Sequence, residues 1–300
     1  MPATFTKPKN QLTWLITGCS SGFGLSLTRI ALAAGHTVIA TSRNPSRTPE
    51  LVAEVEGKGG RWLKLDVDDR NSTSVVEELE KSGAEVDVLV NNAGYAILSP
   101  VETATEDELR KQMESMYFGP LRLIRAVLPH MRKQRYGVIV NISTGAAIVG
   151  RDTMGGYGGA KAGLDSVTRA LASEVAPYNI RTLTVILGAF NTNMPKASVG
   201  GEKPLPPGYE GSPSEMMHQF LSGTANMSMS GLKFTMGDKD KAMKAVYEVV
   251  VGEGVGAGRE AEQLLPLGFD MIARFKDVQE SFGKALDAFG DVAANVNLDE

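Results

Sequence analysis

The sequence predicts an α/β fold in which a doubly wound parallel sheet of about seven strands is covered by helices on both faces. Short apolar runs alternate with segments of helical periodicity from residue 12 to residue 187, and this order is typical of right-handed βαβ crossovers. Strands joined in this way form a parallel sheet that is buried on both sides. A chain of 300 residues fits one domain of this class.

The individual elements are assigned from the spacing of the apolar residues. Strands are predicted where a short apolar run is bounded by turn residues, at 12–17, 36–42, 61–65, 86–90, 137–142 and 181–187. Helices are predicted where apolar residues recur every three or four positions, at 22–34, 49–57, 72–83, 105–135 and 156–175. Further helices are predicted at 239–251 and 269–289, with a last short strand at 263–267.

The regular alternation stops after residue 187. Residues 191–238 are rich in Gly, Pro, Ser and Met, and a stretch of this length without regular elements usually indicates a functional lid. We therefore divide a single domain of residues 1–300 into a core at 12–192, an irregular, partly helical lid at 193–238, and C-terminal helices with the last strand at 239–300.

Composition and charge exclude several classes of function. The chain has 31 basic and 35 acidic residues and a net charge of −4, so nothing favours nucleic acid or an anionic membrane surface. No apolar run reaches the ~18 residues of a membrane span, and the polar start lacks the apolar region of a signal peptide. Cys19 has no second cysteine to pair with, and His36, His130 and His218 are scattered, so no disulfide or metal site is predicted. We expect a cytoplasmic protein that acts on a small molecule.

Residues 17–24, Thr-Gly-Cys-Ser-Ser-Gly-Phe-Gly, form a glycine-rich junction between the first strand and the first helix. Backbone amides and the positive end of a helix can bind a pyrophosphate there. Glycines are needed because a Cβ would block the phosphates or strain the turn. The junction therefore predicts a dinucleotide site, with a tight loop that binds nothing as the alternative. The predicted contacts are Gly18, Ser20, Ser21, Gly22, Phe23 and Gly24.

The end of the second strand indicates which dinucleotide binds. An acidic residue there would bind the ribose hydroxyls of NAD(H), whereas a basic residue accepts the 2′-phosphate of NADP(H). The strand ends Ala-Thr-Ser-Arg, with Ser42 where the acid would stand and Arg43 after it. Because a guanidinium suits bidentate phosphate binding, we predict NADP(H) as the cofactor. A solvated loop arginine is the alternative.

Tyr157 and Lys161 are four residues apart at the start of a predicted helix, so their side chains share a face. A free tyrosine titrates near ~10, too high to exchange a proton readily at neutral pH. An ammonium at ~4 Å, with an effective dielectric of ~20, contributes ~4 kcal/mol before screening, enough for ~3 pKa units. Tyr157 is therefore predicted to be a general acid/base whose pKa Lys161 lowers. A surface helix pair without function is the alternative.

Three ordered motifs together resemble the short-chain dehydrogenase/reductase superfamily, which has a Rossmann-type fold. They are the junction at 17–24, the Asn-Asn-Ala-Gly segment at 91–94 and the Tyr-xxx-Lys pair at 157–161. The residues of these motifs are most similar to those of the branch that contains 17β-hydroxysteroid and retinol dehydrogenases. The resemblance implies a homo-oligomer built through the long helix and the Tyr157 helix.

The resemblance also implies roles for further residues. Ser20 would lie near the 2′-phosphate, Asp66 and Val67 at the adenine, and Asn91 and Gly94 beside the cofactor. Residues 187–192 resemble the family's Pro-Gly-xxx-Thr segment with leucine in place of proline. Backbone groups there, including those of Phe190, and the Thr192 hydroxyl would meet the nicotinamide carboxamide.

Two residues depart from the family's catalytic pattern. The substrate-orienting serine falls on Thr144, which keeps the hydroxyl but adds a methyl group and a stiffer side chain. Ser143 is the alternative. The family's asparagine, which helps to hold a proton-relay water, falls on Met116, and a thioether cannot do this. Ser115 or backbone groups would serve the relay, or proton transfer is slow, or the reaction does not need it.

The lid suggests the class of substrate. Its methionines and phenylalanines can adapt to a bulky apolar ligand, although an ordinary mobile loop is an equal alternative. They are Met194, Met216, Met217, Phe220, Met227, Met229, Phe234 and Met236. We predict an NADP(H)-dependent oxidoreductase of secondary metabolism, acting reversibly on a carbonyl or secondary alcohol of a steroid-, terpenoid- or polyketide-like compound. A non-redox isomerase, dehydratase or cyclase is one alternative, and a cofactor-sensing binding protein is another.

Overall fold

The structure, a computed structural model, describes residues 9–224 and 236–298 and centres on a parallel sheet of seven strands within that part of the chain. The prediction of a doubly wound parallel sheet is therefore confirmed. The strands are β1 (Thr13–Ile16), β2 (Thr37–Ser42), β3 (Arg61–Lys64), β4 (Val88–Asn91), β6 (Gly137–Thr144), β7 (Ile180–Leu187) and β9 (Leu264–Leu267). A separate parallel pair joins β5 (Ile97–Leu98) to β8 (Val199–Gly200).

The order of the strands places β1 in the interior of the sheet, between β2 and β4. The order is β3-β2-β1-β4-β6-β7-β9, so the chain runs outward from β1 to β3 and then returns to β4 on the other side. Trp14 of β1 pairs with Val38 of β2 on one side and with Val88 of β4 on the other. The direction of winding reverses between β1 and β4, and ligands of such sheets bind outside the carboxyl ends of the strands at that point.

The helices lie on both faces of this sheet. They are α1 (Gly22–Ala33), α2 (Pro49–Gly57), α3 (Ser74–Lys81), α4 (Glu106–Met113), α5 (Gly119–Gln134), α6 (Gly155–Val175), α7 (Met194–Ala197), α8 (Pro213–Leu221), α9 (Lys239–Val251) and α10 (Phe269–Ala294). Leu27 of α1 and Val246 of α9 belong to the apolar cluster on one face, and Leu123 of α5 and Leu164 of α6 belong to the cluster on the other. Neighbouring residues of β1 alternate between the two clusters, as the pleat requires.

The single long helix predicted at 105–135 is interrupted by a π-helical segment, Glu114–Phe118. At its end the Gly119 amide donates to the carbonyl of Glu114. Pro120 follows and has no amide to continue the α-helical ladder. A Cβ on Gly119 would lie 2.6 Å from the Val67 carbonyl oxygen, so the glycine permits this close approach. Irregular turns of this kind are frequent at functional sites.

The segment predicted as a lid is partly helical, since it contains α7, β8 and α8. Met216 and Met236 are exposed, whereas Met217 and Phe220 are half-buried. Met227, Met229 and Phe234 lie outside the described residues. The C-terminal helix reaches Ala294, beyond the predicted end at residue 289. No helix of the described chain is both long and apolar enough to span a membrane.

Candidate active site

The glycine-rich junction between β1 and α1 packs against the segment that follows β4. Gly18 has a φ of +72°, and a Cβ on it would lie 2.7 Å from the Cα of Ala93. A Cβ on Gly24 would lie 2.5 Å from the side-chain nitrogen of Asn92 and 2.5 Å from the Gly18 carbonyl oxygen. A side chain at either position would push the two segments apart. The glycines therefore keep the junction closed against β4.

The start of α1 is open to a ligand. Ser21 is the N-cap residue but its side chain makes no capping hydrogen bond, so a side-chain cap does not occupy the first helical amides. Ser20 is exposed beside it. Gly22 has a φ of +59°, and a Cβ there would meet only the Cβ of Thr192, at 3.9 Å. An uncapped helix start with room beside it is suited to a phosphate group.

The segment after β7 lies beside this junction. The Phe23 and Phe190 rings pack edge to face with centroids 5.4 Å apart, and Phe190 is buried. The Thr192 hydroxyl accepts a hydrogen bond from the Met194 amide at 3.3 Å. The structure thus brings the predicted phosphate-binding and nicotinamide-binding segments together.

The two asparagines at the end of β4 have different roles. Asn92 donates to the carbonyl oxygens of Thr17 and Gly18 at 2.8 Å and 3.1 Å, so it fixes the glycine-rich junction. Asn91, predicted to contact the cofactor, is 3% exposed. Its amide donates to Asn141 of β6 at 2.8 Å. Asn91 therefore cross-links the sheet, and the neighbouring Asn92, not singled out from the sequence, holds the site.

Ser42 and Arg43 differ sharply in their surroundings at the end of β2. Ser42 is buried, and its hydroxyl accepts a hydrogen bond from the Trp62 ring nitrogen at 3.0 Å. Arg43 is exposed and pairs with no other residue in the described part of the chain. The guanidinium is therefore available to a ligand at the carboxyl edge of the sheet.

The segment after β3 is held by side chains from the interrupted helix. Asp66 accepts a hydrogen bond from the Asp68 amide at 3.1 Å, so its carboxylate caps the turn after β3. The Val67 carbonyl accepts a hydrogen bond from Arg122 at 2.6 Å. The Ser115 hydroxyl donates to the Asp68 carboxylate at 2.5 Å. Ser115 is thus engaged with Asp68, which argues against it as the substitute in a proton relay.

Thr144, Tyr157 and Lys161 meet at the carboxyl end of β6. Tyr157 is half-buried and shares a hydrogen bond with Thr144. Lys161 is 3% exposed, and its ammonium donates to the Ile142 carbonyl oxygen at 2.7 Å. The Thr144 hydroxyl also accepts a hydrogen bond from the Ala146 amide at 3.3 Å. These contacts place the Thr144 hydroxyl beside the tyrosine and hold the Lys161 ammonium at Ile142 of the same strand.

Burial is the largest influence on the pKa values of Tyr157 and Lys161. Burial raises the pKa of Tyr157 to about 12, which the hydrogen bond with Thr144 opposes and the carboxylate of Asp165 reinforces. Burial also lowers the pKa of Lys161 to about 8, with Asp165 acting in the opposite direction. Burial therefore outweighs the effects of neighbouring groups on the pKa of Tyr157, and the lowering of that pKa by Lys161 stays a prediction.

Asp165 is a buried carboxylate that sequence analysis did not single out. It stands one helical turn after Lys161, is 3% exposed, and accepts a hydrogen bond from Ser143 at 2.7 Å. Ser143 is thereby turned away from Tyr157, so Thr144 and not Ser143 is the hydroxyl beside the tyrosine. The spacing of Asp165 from Lys161 was the available signal, because residues four apart share a helix face.

Met116 is completely buried against the segment after β4. A Cβ on Gly94 would lie 3.1 Å from the Met116 sulfur and 3.2 Å from its terminal methyl group. The thioether thus fills the space beneath Gly94. Met116 therefore packs in the core at this position.

The first turn of α10 contacts two loops of the site. A Cβ on Gly188 would lie 1.9 Å from the Asp270 carboxylate, which accepts a weak hydrogen bond from the Ala189 amide at 3.3 Å. Asp270 also pairs with Arg274 at 3.2 Å. Met271 is buried where a Cβ on Gly145 would meet it at 2.6 Å. Nothing in the local sequence could reveal the contacts with Gly145, Gly188 and Ala189, because they join residues more than 80 positions apart.

An open cavity of about 460 Å³ lies beside α6. It is lined by Ala146 from the loop after Thr144, by residues 150–155, and by Tyr209 and Ser214 from the lid segment. Arg151 and Asp152 are among the lining residues, so the entrance is more polar than the methionine-rich lid suggested. The described residues contain no cluster of His, Cys, Asp and Glu suited to a metal ion.

A family model described as short chain dehydrogenase matches residues 13–203. Among curated relatives, the oxidoreductase claN of Passalora fulva is 41% identical over 186 residues, 62% of this chain and 85% of that protein. The 3-ketodihydrosphingosine reductase of Bacteroides thetaiotaomicron is 41% identical over 181 residues, 59% of this chain and 64% of that protein.

Solved structures are similar over nearly the whole chain. A short-chain dehydrogenase from Streptomyces avermitilis is 32% identical, with a TM-score of 0.82 and coverage of 97% of this chain and 100% of that one. A short-chain dehydrogenase from Sphingobium yanoikuyae in complex with NADPH is 21% identical, with a TM-score of 0.68 and coverage of 96% and 97%. The second likeness concerns the fold alone.

Proposed function

The chain belongs to the short chain dehydrogenase family, and we propose that it is an NADP(H)-dependent oxidoreductase that reduces a carbonyl group of a lipophilic small molecule. The observation that carries the proposal is the contact of Thr144 with Tyr157 at the carboxyl end of β6, the strand to which the buried Lys161 donates a hydrogen bond at Ile142. The oxidoreductase class follows from the family. The cofactor, the substrate class and the direction of the reaction are proposed.

The residues at the carboxyl edge of the sheet fit a dinucleotide phosphate. The uncapped start of α1 and the left-handed Gly18 and Gly22 supply amides and room for the pyrophosphate. Arg43 is exposed and unpaired among the described residues, and suits the 2′-phosphate. The Sphingobium yanoikuyae protein of the same fold binds NADPH, which agrees with this choice. When bound, the cofactor supplies the hydride that carbonyl reduction requires.

The catalytic side chains are prepared to donate a proton. With a pKa of about 12, the Tyr157 hydroxyl is protonated at neutral pH and can protonate a carbonyl oxygen as it becomes an alkoxide. Thr144, which shares a hydrogen bond with Tyr157, can hold the same oxygen. Lys161 is positively charged below about pH 8, and we propose that this charge offsets the negative charge left on the tyrosine. Oxidation would need a tyrosinate, so we assign reduction as the favoured direction.

The proposal of a lipophilic substrate is based on the lid segment and on one relative. Met194, Met217 and Phe220 are half-buried in that segment. The 3-ketodihydrosphingosine reductase acts, by its name, on a ketone of a long-chain lipid. The cavity beside α6 also contains Arg151 and Asp152. We therefore favour a substrate with an apolar body and a polar end near these two residues.

The proposal is tested by following NADPH absorbance in a panel of lipophilic ketones, with water-soluble ketones of the same reactivity beside them. NADPH should be consumed with at least one lipophilic ketone, and NADH should be used far more slowly. Thr144→Val, which keeps the shape of the side chain and removes its hydroxyl, is the matched variant and should lose most of the activity. NADPH binding without turnover of any ketone or alcohol would contradict the proposal.

A further inference from the structure

Helix α10 extends far beyond its contacts with the domain. It has 26 residues and is therefore about 39 Å long. Its first turn is anchored by the buried Met271. From residue 279 to residue 294, every side chain is exposed apart from the half-buried Gly283 and Gly290. Most of the helix thus has no partner among the described residues of the chain.

The exposed part of α10 carries a continuous apolar face. Its large side chains lie between half and three quarters in solvent, at Ile272 (58%), Phe282 (69%), Leu286 (69%), Phe289 (65%) and Val292 (54%). Positions 272, 275, 279, 282, 286, 289 and 293 follow alternating steps of three and four, and all are apolar except Gln279. This spacing is typical of a helix that pairs with another helix.

The charges of α10 lie outside this face. Between residues 277 and 291 the charged side chains are Asp277, Glu280, Lys284, Asp287 and Asp291, which makes the polar side acidic. Helices that lie on anionic membranes have a polar side rich in lysine and arginine instead. An anionic lipid surface is therefore disfavoured, and a second protein helix is the better occupant.

We propose that α10 is a dimerisation helix that pairs antiparallel with α10 of a second copy of this chain. When the pair is centred on Leu286, residues equidistant from it face each other. Phe282 then lies opposite Gly290 of the second copy, and Phe289 lies opposite Gly283. Each large ring meets a position without a side chain, so the face is complementary to itself, as a two-fold interface requires.

Charge does not oppose this arrangement. The charged side chains between residues 277 and 291 lie on the side of the helix away from the apolar seam, so none of them is buried between the two copies. Antiparallel pairing places the negative end of each helix dipole beside the positive end of the other.

The area available fits a weak, reversible dimer. Within the paired segment, residues 278–294, the exposed parts of Phe282, Leu286, Phe289 and Val292 present roughly 450 Å² per copy, taking a whole aromatic side chain at about 200 Å². Two copies would bury about 900 Å², which is in the range of weak, transient interfaces. Dimerisation through α10 should therefore depend on protein concentration. It is separate from the interface through α5 and α6 that the family resemblance implies.

The test is sedimentation velocity of the full chain over a hundredfold range of concentration, for three proteins. Leu286→Glu places a charge at the centre of the seam and should reduce the association constant at least tenfold. Ala288→Glu adds the same charge two residues away, on the opposite side of the helix, and should leave association unchanged. Equal assembly of the wild-type and Leu286→Glu proteins would overturn the proposal, even if both are dimers through another face.

A crosslinking experiment tests the register independently. Cys19 is buried, so Leu286→Cys introduces the one exposed thiol. The two-fold pairing predicts a disulfide-linked dimer of Leu286→Cys under mild oxidation and little of it for Ala288→Cys. Equal crosslinking of both variants would overturn the antiparallel arrangement. Flotation with neutral phosphatidylcholine vesicles is the remaining control, and binding that abolishes the dimer would assign the face to lipid.

Discussion

Replacing Met116 by asparagine is the sharpest test of how this site differs from its family. The substitution restores the amide that the family pattern has at this position. In the structure, however, Met116 is completely buried and its sulfur would lie 3.1 Å from a Cβ on Gly94. We therefore expect Met116→Asn to destabilise the fold without accelerating the reaction.

The magnitude of the loss follows from the burial. Removing a fully buried methionine side chain forfeits about 2 kcal/mol of apolar transfer free energy. A buried amide without a partner costs about 1–3 kcal/mol more. The sum, about 3–5 kcal/mol, corresponds to a fall in Tm of about 6–15 °C at about 2–3 °C per kcal/mol for a domain of this size. Met116→Leu conserves the apolar volume and should cost less than about 1.5 kcal/mol.

The assay combines thermal unfolding with single-turnover oxidation of NADPH, in water and in deuterium oxide, at a temperature where all three proteins are folded. We expect the hydride-transfer rate of Met116→Asn to be no higher than that of the wild type and of Met116→Leu. A several-fold faster rate in the asparagine variant alone, with a changed solvent isotope effect, would refute this reasoning. It would show that the wild-type enzyme lacks a proton relay that an amide can restore.

Four further predictions concern the site. Tyr157→Phe should lower turnover by about 10²–10⁴, because the proton donor is lost. The NADPH affinity, measured by fluorescence titration, should be unchanged. Activity close to that of the wild type would exclude Tyr157 as the acid. Arg43→Asp should shift the ratio of NADPH to NADH affinity by about 10–100-fold toward NADH, because this factor corresponds to the free energy of a charged hydrogen bond. An unchanged ratio would show that Arg43 does not contact the cofactor. The rate of reduction should fall as pH rises through about 8, where Lys161 loses its charge, and a profile flat from pH 7 to 9 would contradict that pKa. Asp270→Asn should raise the KM for NADPH several-fold with kcat nearly constant, because the contact with Ala189 weakens; unchanged kinetics would show that Asp270 does not position the loop.

The sheet could be predicted because its strands are apolar on both faces and are separated by helices of regular period. The small β5–β8 pair could not, since two residues per strand carry no periodic signal and the partners are about a hundred positions apart. The π-helical turn could not be predicted from the sequence for a different reason. Helical periodicity continues through residues 114–118, and the interruption depends on Pro120 and on the close approach of Gly119 to Val67.

Some residues of the candidate site could likewise be predicted from the sequence, and others could not. Gly18, Gly22, Tyr157 and Lys161 could be assigned because each motif is contiguous and lies where a strand meets a helix. Asp270 could not, because it reaches Ala189 from the far end of the chain. A local motif identifies the residues that flank a site. Only the folded structure shows which distant helices pack against it.

The proton chemistry of Tyr157 shows how much depends on burial. Sequence spacing supplies the attraction between a tyrosinate and an ammonium one helical turn apart, about 4 kcal/mol at ~4 Å. The spacing does not show how strongly both groups are buried. Their removal from water raises the pKa of Tyr157 to about 12 and lowers that of Lys161 to about 8. At pH 7 a tyrosine with that pKa is deprotonated in about one molecule in 10⁵. Burial therefore makes the folded site a proton donor, and carbonyl reduction is the direction in which these side chains can act without first losing a proton.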